Sequence, residues 1–304
     1  MNTSENWRST VPELTLVRMA AGILTLLVIV GTGGREAFSV PFETFVYAMA
    51  FSHYFMALLY SRKQIRAVQA NRSAYPAVLG LLILGSSVYF GKFSLVVYFG
   101  IHHAFNESYL LNGVTKAWQR PEIRALRPAA AAAGFFSYLF LLRDHAELGS
   151  VPGAVFLAGA AASYAVFAFL FIKAFPFMSP KERIDNCAAE LILPVLTAIS
   201  LSVTVRFLYI VAYHFVFWAL RPVPKMLRAG GPELPRYLGL TLALLAGSYL
   251  VSPLGVVRYP MQGSYFFEQF TMWSYLHITI SFALSDLHPD WIVRLFRPRR
   301  PVVV

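Results

Sequence analysis

Four side chains able to bind a metal ion or move a proton lie together in the otherwise apolar segment YFGIHHAFNESYLLN, residues 98–112. They are His102, His103, Asn106 and Glu107. Residues four apart share one face of a helix. We therefore expect His103 to lie beside Glu107, and His102 beside Asn106 on a face rotated by about 100°. A histidine and a carboxylate at helical spacing are typical ligands of metal ions in helix bundles.

Three further histidines, His53, His214 and His277, lie in other apolar segments. If the apolar segments are transmembrane helices, all five histidines fall about eight to ten residues from the outer ends of four of them. They then lie at one level near the middle of the bilayer. A neutral imidazole offers one donor and one acceptor, so imidazoles alone form a poor hydrogen-bond network. A metal ion would use several neutral nitrogens at once. The sequence therefore predicts a metal site formed by His53, His102, His103, Glu107, His214 and His277.

The composition indicates a membrane protein. Hydrophobic residues make up 57% of the 304 residues and charged residues only 13%, whereas soluble domains average about 25% charged residues. The predicted fold is an all-α polytopic transmembrane bundle that forms a single integral membrane domain over residues 1–304, with a short interfacial tail at 287–304. The ten predicted spans are 14–31, 44–60, 74–90, 93–112, 128–142, 151–175, 187–203, 205–220, 237–256 and 269–285.

The distribution of the basic residues predicts the orientation. The net charge is +11, but the cations lie in short loops between apolar runs, which indicates membrane topology rather than nucleic-acid binding. Of the 26 Lys and Arg residues, 20 fall on the inner side, counting Lys173 at the inner end of the span 151–175, four fall in outer segments, and Arg18 and Arg206 lie elsewhere within spans. We therefore expect both termini inside and basic loops in the cytoplasm, with the protein in the cell (inner) membrane. The expected partners are the bilayer and a lipophilic small molecule, with no nucleic acid.

Residues 186–220 admit two interpretations. They could form one long helix kinked at Pro194, which lacks a backbone donor, or a hairpin that turns near Ser202. Both flanking loops are basic, and two crossings place both on the same side. We therefore predict the hairpin.

Further polar residues are weaker candidates. Asn106, Glu190 and Arg206 are candidate cofactor-binding residues. Glu190 could also be a proton route or reach the interface, and Arg206 could hold an anionic group or extend its guanidinium to the interface. His145 and His288 are expected to be surface residues.

The ligand types favour one chemistry. Nitrogen ligands with a carboxylate and no thiolate suit non-haem iron, and the single cysteine, Cys187, cannot form a thiolate cluster. The sequence therefore predicts an iron-dependent membrane oxygenase, hydroxylase or desaturase that acts on an acyl chain, isoprenoid or polyene and can require a redox partner. Two alternatives stay open: a b-type haem electron-transfer protein with histidine ligands, and a His/Glu proton-coupled transporter.

Overall fold

The computed structural model describes residues 13–31, 40–110, 120–149, 151–202, 204–252, 264–284 and 288–296. Within these ranges the side chains of 188–193, 264–267 and 290 are not described. The described residues are helical or lie in turns between helices, and none of them forms a strand. The helices are α1 Glu13–Gly31, α2 Val40–Tyr60, α3 Arg62–Ala70, α4 Tyr75–Phe90, α5 Leu95–Leu110, α6 Pro121–Arg124, α7 Leu126–Leu141, α8 Gly153–Ala174, α9 Pro180–Ile199, α10 Phe207–Leu220, α11 Val223–Ala229, α12 Glu233–Leu250, α13 Ser264–Leu284 and α14 Asp290–Phe296.

A helix lies at each of the ten predicted spans, with ends that differ by a few residues. Among the described residues, four helical segments are long and apolar enough to cross a membrane: Glu13–Gly31, Arg72–Phe90, Gly153–Phe177 and Phe207–Ala229. Others are shorter; α5 and α7 have 16 residues each, below the roughly 20 residues of a full span. That all ten cross the bilayer stays a prediction, and the termini, 1–12 and 297–304, lie outside the described residues.

Residues 186–220 are divided between two helices, α9 and α10, which excludes the alternative of one kinked helix and supports the predicted hairpin. α9 begins with a capping box in which Ser179 and Glu182 each satisfy the other's backbone N–H. It contains Pro194 but continues to Ile199, and α10 begins at Phe207. Arg143, after the end of α7, donates to the carbonyl of Ser200 at 2.8 Å. The ring of His145 lies 6.0 Å from that of Phe207, so the end of α9 and the beginning of α10 both lie near the end of α7.

The residues pack as two compact units. The first unit comprises Met1–Thr25 and Phe99–Pro224, and the second comprises Leu26–Tyr98 and Lys225–Val304. The prediction of a single integral membrane domain stays a prediction.

In the first unit, the helix directions bring basic segments to one end. Arg127 donates to Asn186 at 2.9 Å near the beginnings of α7 and α9, so these helices run parallel. α8 runs antiparallel to α7, and the helices pack closely because Gly159 faces the ring of Phe136. The beginnings of α7 and α9 and the ends of α8 and α10 therefore lie together, and they carry Arg120, Arg124, Arg127, Lys173, Lys181, Arg183 and Arg221.

In the second unit, α2 and α13 run parallel, since Tyr47 contacts Phe270 (ring centroids 4.3 Å apart) and His53 contacts His277 further along both helices (4.7 Å). α4 runs antiparallel to α13 and α12 antiparallel to α2. The ends of α2 and α13 therefore lie beside the beginnings of α4 and α12. At this end of the unit lie α3, a 3₁₀ turn at Arg72–Ala74, and α14.

The packing of α4 on α13 yields a matched test. A Cβ atom at Gly85 would lie 2.7 Å from Oγ1 and 2.8 Å from Cγ2 of Thr279. Thr279 is buried, and its hydroxyl donates to the carbonyl of Tyr275 at 2.6 Å and contacts the Tyr98 hydroxyl at 2.8 Å. We expect Gly85→Ala to cost about 1–3 kcal/mol through overpacking and to lower the Tm in detergent.

Gly80, five residues earlier in the same helix, is the control. A Cβ atom there meets nothing within 4 Å, so Gly80→Ala should leave the Tm unchanged or raise it slightly, since alanine favours the helix over glycine. Equal Tm values for the two variants would contradict the close approach of Gly85 to Thr279.

Candidate functional site

The first unit brings together His102, His103 and His214. Nδ1 of His103 lies 3.4 Å from Nδ1 of His214, and the ring centroids of His102 and His214 are 5.3 Å apart. All three side chains are buried. α5 and α10 run side by side here, because Phe99, one turn before His103, contacts Phe207, two turns before His214.

Aromatic rings surround this group. Phe99 stacks on His103, with ring centroids 5.8 Å apart and planes at 11°, and lies 5.2 Å from His214 edge-on. Tyr138 of α7 lies 6.3 Å from His103, and Trp218 lies 6.2 Å from His214. Phe99 and Tyr138 were not singled out by the sequence, although Phe99 lies four residues before His103 and so shares its helix face. The histidines thus lie in apolar surroundings that exclude water.

His102 and Asn106 form the pair expected from their spacing. Nδ2 of Asn106 lies 2.9 Å from Nε2 of His102 and can donate to it. A nitrogen that accepts this hydrogen bond cannot bind a metal with the same lone pair. His102 is therefore suited to orienting the group, and His103 and His214 are better placed to bind a ligand.

Glu107 forms an ion pair with Arg18 of α1. Nη2 and Nε of Arg18 lie 2.8 and 3.0 Å from Oε2 of Glu107. Arg18 is 3% exposed, so it needs a buried anion close by. The sequence places Arg18 inside a span without indicating this partner, which is 89 residues away. In the part of the chain that the structure describes, no group of three His, Cys, Asp or Glu side chains is arranged to hold a metal ion.

The second unit contains the other two predicted ligands, His53 of α2 and His277 of α13. Their Nε2 atoms lie 3.2 Å apart. The ring of Tyr54 stacks on His277 with centroids 4.8 Å apart, and its hydroxyl lies 2.6 Å from the hydroxyl of Ser274. Each unit thus contains a pair of histidines from two different helices.

The histidines share one position along their helices, measured from the carboxyl ends. His53, His103 and His277 each lie seven residues before the last residue of α2, α5 and α13, and His214 lies six before the last residue of α10. At a rise of 1.5 Å per residue this is about 10 Å.

The remaining candidates are less informative. Arg206 precedes α10 and is half-buried, and its carbonyl accepts from the backbone N–H of Tyr209 at 3.0 Å. Glu190 lies in α9, but its side chain is outside the described part of the structure.

His288 is buried, so the prediction that it is a surface residue is wrong. It is 2% exposed and stacks on Phe282, with ring centroids 5.0 Å apart. Burial lowers the pKa of His288 to about 4. His145 is half-buried and accepts from the backbone N–H of Glu147 at 3.2 Å.

Comparison of the chain with models of protein families, with curated proteins and with solved structures found no match. The argument for function therefore rests on the geometry of these two groups of side chains.

The ion pair can be tested by a double-mutant cycle. Removing one partner of a buried pair costs about 3–5 kcal/mol, and less where solvent reaches it, as it reaches the Glu107 side chain, which is 22% exposed. We expect Arg18→Met to lower the Tm markedly, because it leaves the carboxylate without its cation. The double variant Arg18→Met/Glu107→Leu should recover part of that loss. Strictly additive effects on the Tm would show that the two side chains do not interact.

Proposed function

We propose that this protein is a membrane-embedded, non-haem iron oxidoreductase that acts on a lipophilic substrate, with its metal centre at His103 and His214 in the first unit. The observation that carries the proposal is the separation of 3.4 Å between the Nδ1 atoms of these two buried histidines. We extend the proposal to His53 and His277 of the second unit, because their Nε2 atoms also lie close together, 3.2 Å apart.

The two separations suit ligands of one metal ion. A metal–nitrogen distance is about 2.0–2.1 Å, so two nitrogens bound to one ion at angles between 90° and tetrahedral lie about 2.9–3.4 Å apart. The separations of 3.4 Å in the first unit and 3.2 Å in the second fall in this range. A direct hydrogen bond explains the first pair less well, because 3.4 Å is beyond the usual range of about 2.7–3.2 Å.

The same distances favour non-haem iron over haem. A haem would be held by one histidine from each helix of a pair and would supply electron transfer. The ring nitrogens lie 3.4 Å apart in His103 and His214 and 3.2 Å apart in His53 and His277, so each pair would have to separate to admit a macrocycle between its imidazole rings.

Glu107 is the carboxylate that would complete a site of two histidines and one carboxylate, the ligand set of many non-haem iron oxygenases. It lies one helical turn from His103 on α5. Oε2 of Glu107 lies 2.8 Å from Nη2 of Arg18. In the proposed site, His103, His214 and Glu107 would hold the iron, and the iron would supply the activation of dioxygen.

The surroundings favour a lipophilic substrate. The rings of Phe99, Tyr138 and Trp218 provide apolar contacts around the histidines. Hydroxylation would combine the substrate and dioxygen with two electrons and two protons from an external donor, and would release the hydroxylated product and water. The proposal therefore includes a redox partner.

We further propose that the protein crosses the cell (inner) membrane ten times, with its termini and basic loops in the cytoplasm. The four helical segments that are long and apolar enough to cross a membrane support its membrane association. Within each unit, the basic segments lie at one end, as the positive-inside rule requires.

A proton-coupled transporter is the second candidate, and the ion pair of Arg18 and Glu107 favours it. Ionisable groups inside a membrane commonly belong to proton pathways, and both residues lie in the unit that contains His103. Proton-coupled flux in proteoliposomes, with no bound metal, would favour this candidate.

Metal analysis of the purified protein tests the proposed centre. We expect His103→Ala and His214→Ala each to lower the bound iron by more than tenfold, since each removes a ligand, and Glu107→Gln to lower it comparably. The control is His145→Ala, which changes a half-buried histidine of the same unit and should leave the iron content unchanged.

The absorption spectrum of the purified protein and variants of His53 and His277 complete the test of the metal centre. A strong Soret band in the absorption spectrum would show that the protein binds haem and not non-haem iron. Full iron occupancy in both His103→Ala and His214→Ala would contradict the proposed ligands. His53→Ala and His277→Ala measure in the same way whether the second pair binds an ion of its own.

A further inference from the structure

We propose that one end of the second unit is a docking surface for the anionic headgroups of a lipid bilayer. This surface, which we name the basic end, consists of α3, the 3₁₀ turn at Arg72–Ala74, and α14. α14 packs against α4, α13 and the turn, and α3 packs against α2, α13 and the same turn. The proposal concerns how the unit meets the membrane and is independent of the metal centre.

The exposed charge of the basic end is strongly positive. Its described Lys and Arg side chains are all exposed: Arg62, Lys63, Arg66, Arg72 and Arg294. α3 contains no acidic residue, and Asp290 is the single acid in the sequence of the basic end. Glu233 and Arg236, at the neighbouring beginning of α12, offset each other. Each Lys or Arg near an anionic membrane surface contributes about 1 kcal/mol of attraction.

α14 presents two apolar faces, and only one of them is covered by the protein. Ile292 and Phe296 are 6% and 2% exposed and hold the helix against the second unit. Trp291 and Leu295, also four residues apart, are 65% and 51% exposed. Large apolar side chains on a short, basic helix are typical of helices that lie in the headgroup region of a bilayer.

Two exposed tyrosines extend this pattern. Tyr60 ends α2 and is 52% exposed, and Tyr75 begins α4 and is 51% exposed. Tryptophan and tyrosine are enriched at both membrane–water interfaces, because their rings are amphipathic. The basic end therefore combines aromatic anchors with cations.

The basic end also lies where a membrane surface is expected. The segment Arg72–Phe90 is long and apolar enough to cross a membrane, and it begins at the turn against which α3 and α14 pack. With the proposed crossing of the bilayer by this segment, on which the inference rests, Arg72 and the short helices packed against the turn lie near the membrane surface.

The mixture of charge and apolar surface selects the partner. A second copy of this chain on the same surface would oppose one set of cations to another, which is repulsive. Nucleic acid would neutralise the cations and leave Trp291 and Leu295 in water. An anionic lipid surface satisfies both features, because its headgroups attract the cations and its upper acyl region takes up the apolar side chains.

Quenching of Trp291 fluorescence by brominated lipid tests the proposal on the full-length protein. The protein is reconstituted into phosphatidylcholine vesicles that contain a minor fraction of either brominated phosphatidylglycerol or brominated phosphatidylcholine. The chain has five tryptophans, so the signal of Trp291 is taken as the difference between the wild-type protein and Trp291→Phe. We expect Trp291 to be quenched by both lipids, and more strongly by the phosphatidylglycerol.

A charge-neutralised variant and a charge-conserving control test the cations. The triple variant Arg62→Gln/Arg66→Gln/Arg72→Gln should lower the preference for phosphatidylglycerol by more than tenfold. This expectation follows because each cation contributes about 1 kcal/mol and a tenfold change corresponds to about 1.4 kcal/mol. The matched variant Arg62→Lys/Arg66→Lys/Arg72→Lys keeps the charge and should keep most of the preference. High salt should weaken the preference of the wild-type protein.

Several results would overturn the proposal. Absence of quenching by either lipid would place α14 away from the bilayer, and protection of Trp291 by self-association would assign the surface to a second copy. Equal quenching by both lipids would show that the basic end does not select anionic headgroups. Unchanged preference in the triple glutamine variant would remove α3 and the turn from the surface.

Discussion

A charged group that leaves water needs a partner of opposite charge, and this requirement organises the first unit. Arg18 is almost completely buried, and its partner Glu107 comes from another helix. Desolvation of either charge alone costs several kcal/mol, so the pair fixes α1 against α5 at one rotation and one height. A buried donor likewise needs an acceptor, and the buried Arg127 of α7 donates to the amide oxygen of Asn186 in α9. Polar contacts between otherwise apolar helices thus define which helix faces meet.

The histidines obey a weaker form of the same constraint. A neutral imidazole carries one donor and one acceptor, and a pair of them can satisfy only part of its capacity internally. An aromatic ring stacks on one histidine of each pair, Phe99 on His103 and Tyr54 on His277. Each pair places two ring nitrogens close together in a buried site. The attraction between a bound cation and its ligands is strongest in such a site, because little water screens it.

Features set by local spacing could be predicted from the sequence. The ten helices follow from apolar runs and their basic flanks, and the contact between His102 and Asn106 follows from their spacing of four residues. The break between α9 and α10 could be predicted from the basic residues in the loops on both sides of residues 186–220. Pro194 alone is compatible with either a kinked helix or a turn between two helices. The sequence predicted one level for His53, His103, His214 and His277, eight to ten residues from the outer ends of their helices. They lie seven to thirteen residues after the first residues of these helices, and only their distance from the carboxyl ends is nearly the same.

Features set by helix rotation could not be predicted. A helix that is apolar on all sides has no face that must turn inward, so the sequence does not show that His103 meets His214 or that His53 meets His277. For the same reason, Arg18 could not be assigned to Glu107, 89 residues away. The burial of His288 depends on the docking of α14 through Ile292 and Phe296, which is a tertiary contact.

The division of the chain into two units has a consequence for biosynthesis. Most of the first unit is contiguous, from Phe99 to Pro224, whereas the second is assembled from Leu26–Tyr98 and Lys225–Val304. During synthesis, α2 and α4 emerge from the ribosome long before α12 and α13, against which they pack. The early helices must therefore wait, with Ser52 and His53 lacking their later neighbours Thr241 and His277. Insertion factors or chaperones that shield polar groups of nascent helices would act during this interval, and the second unit would be completed last.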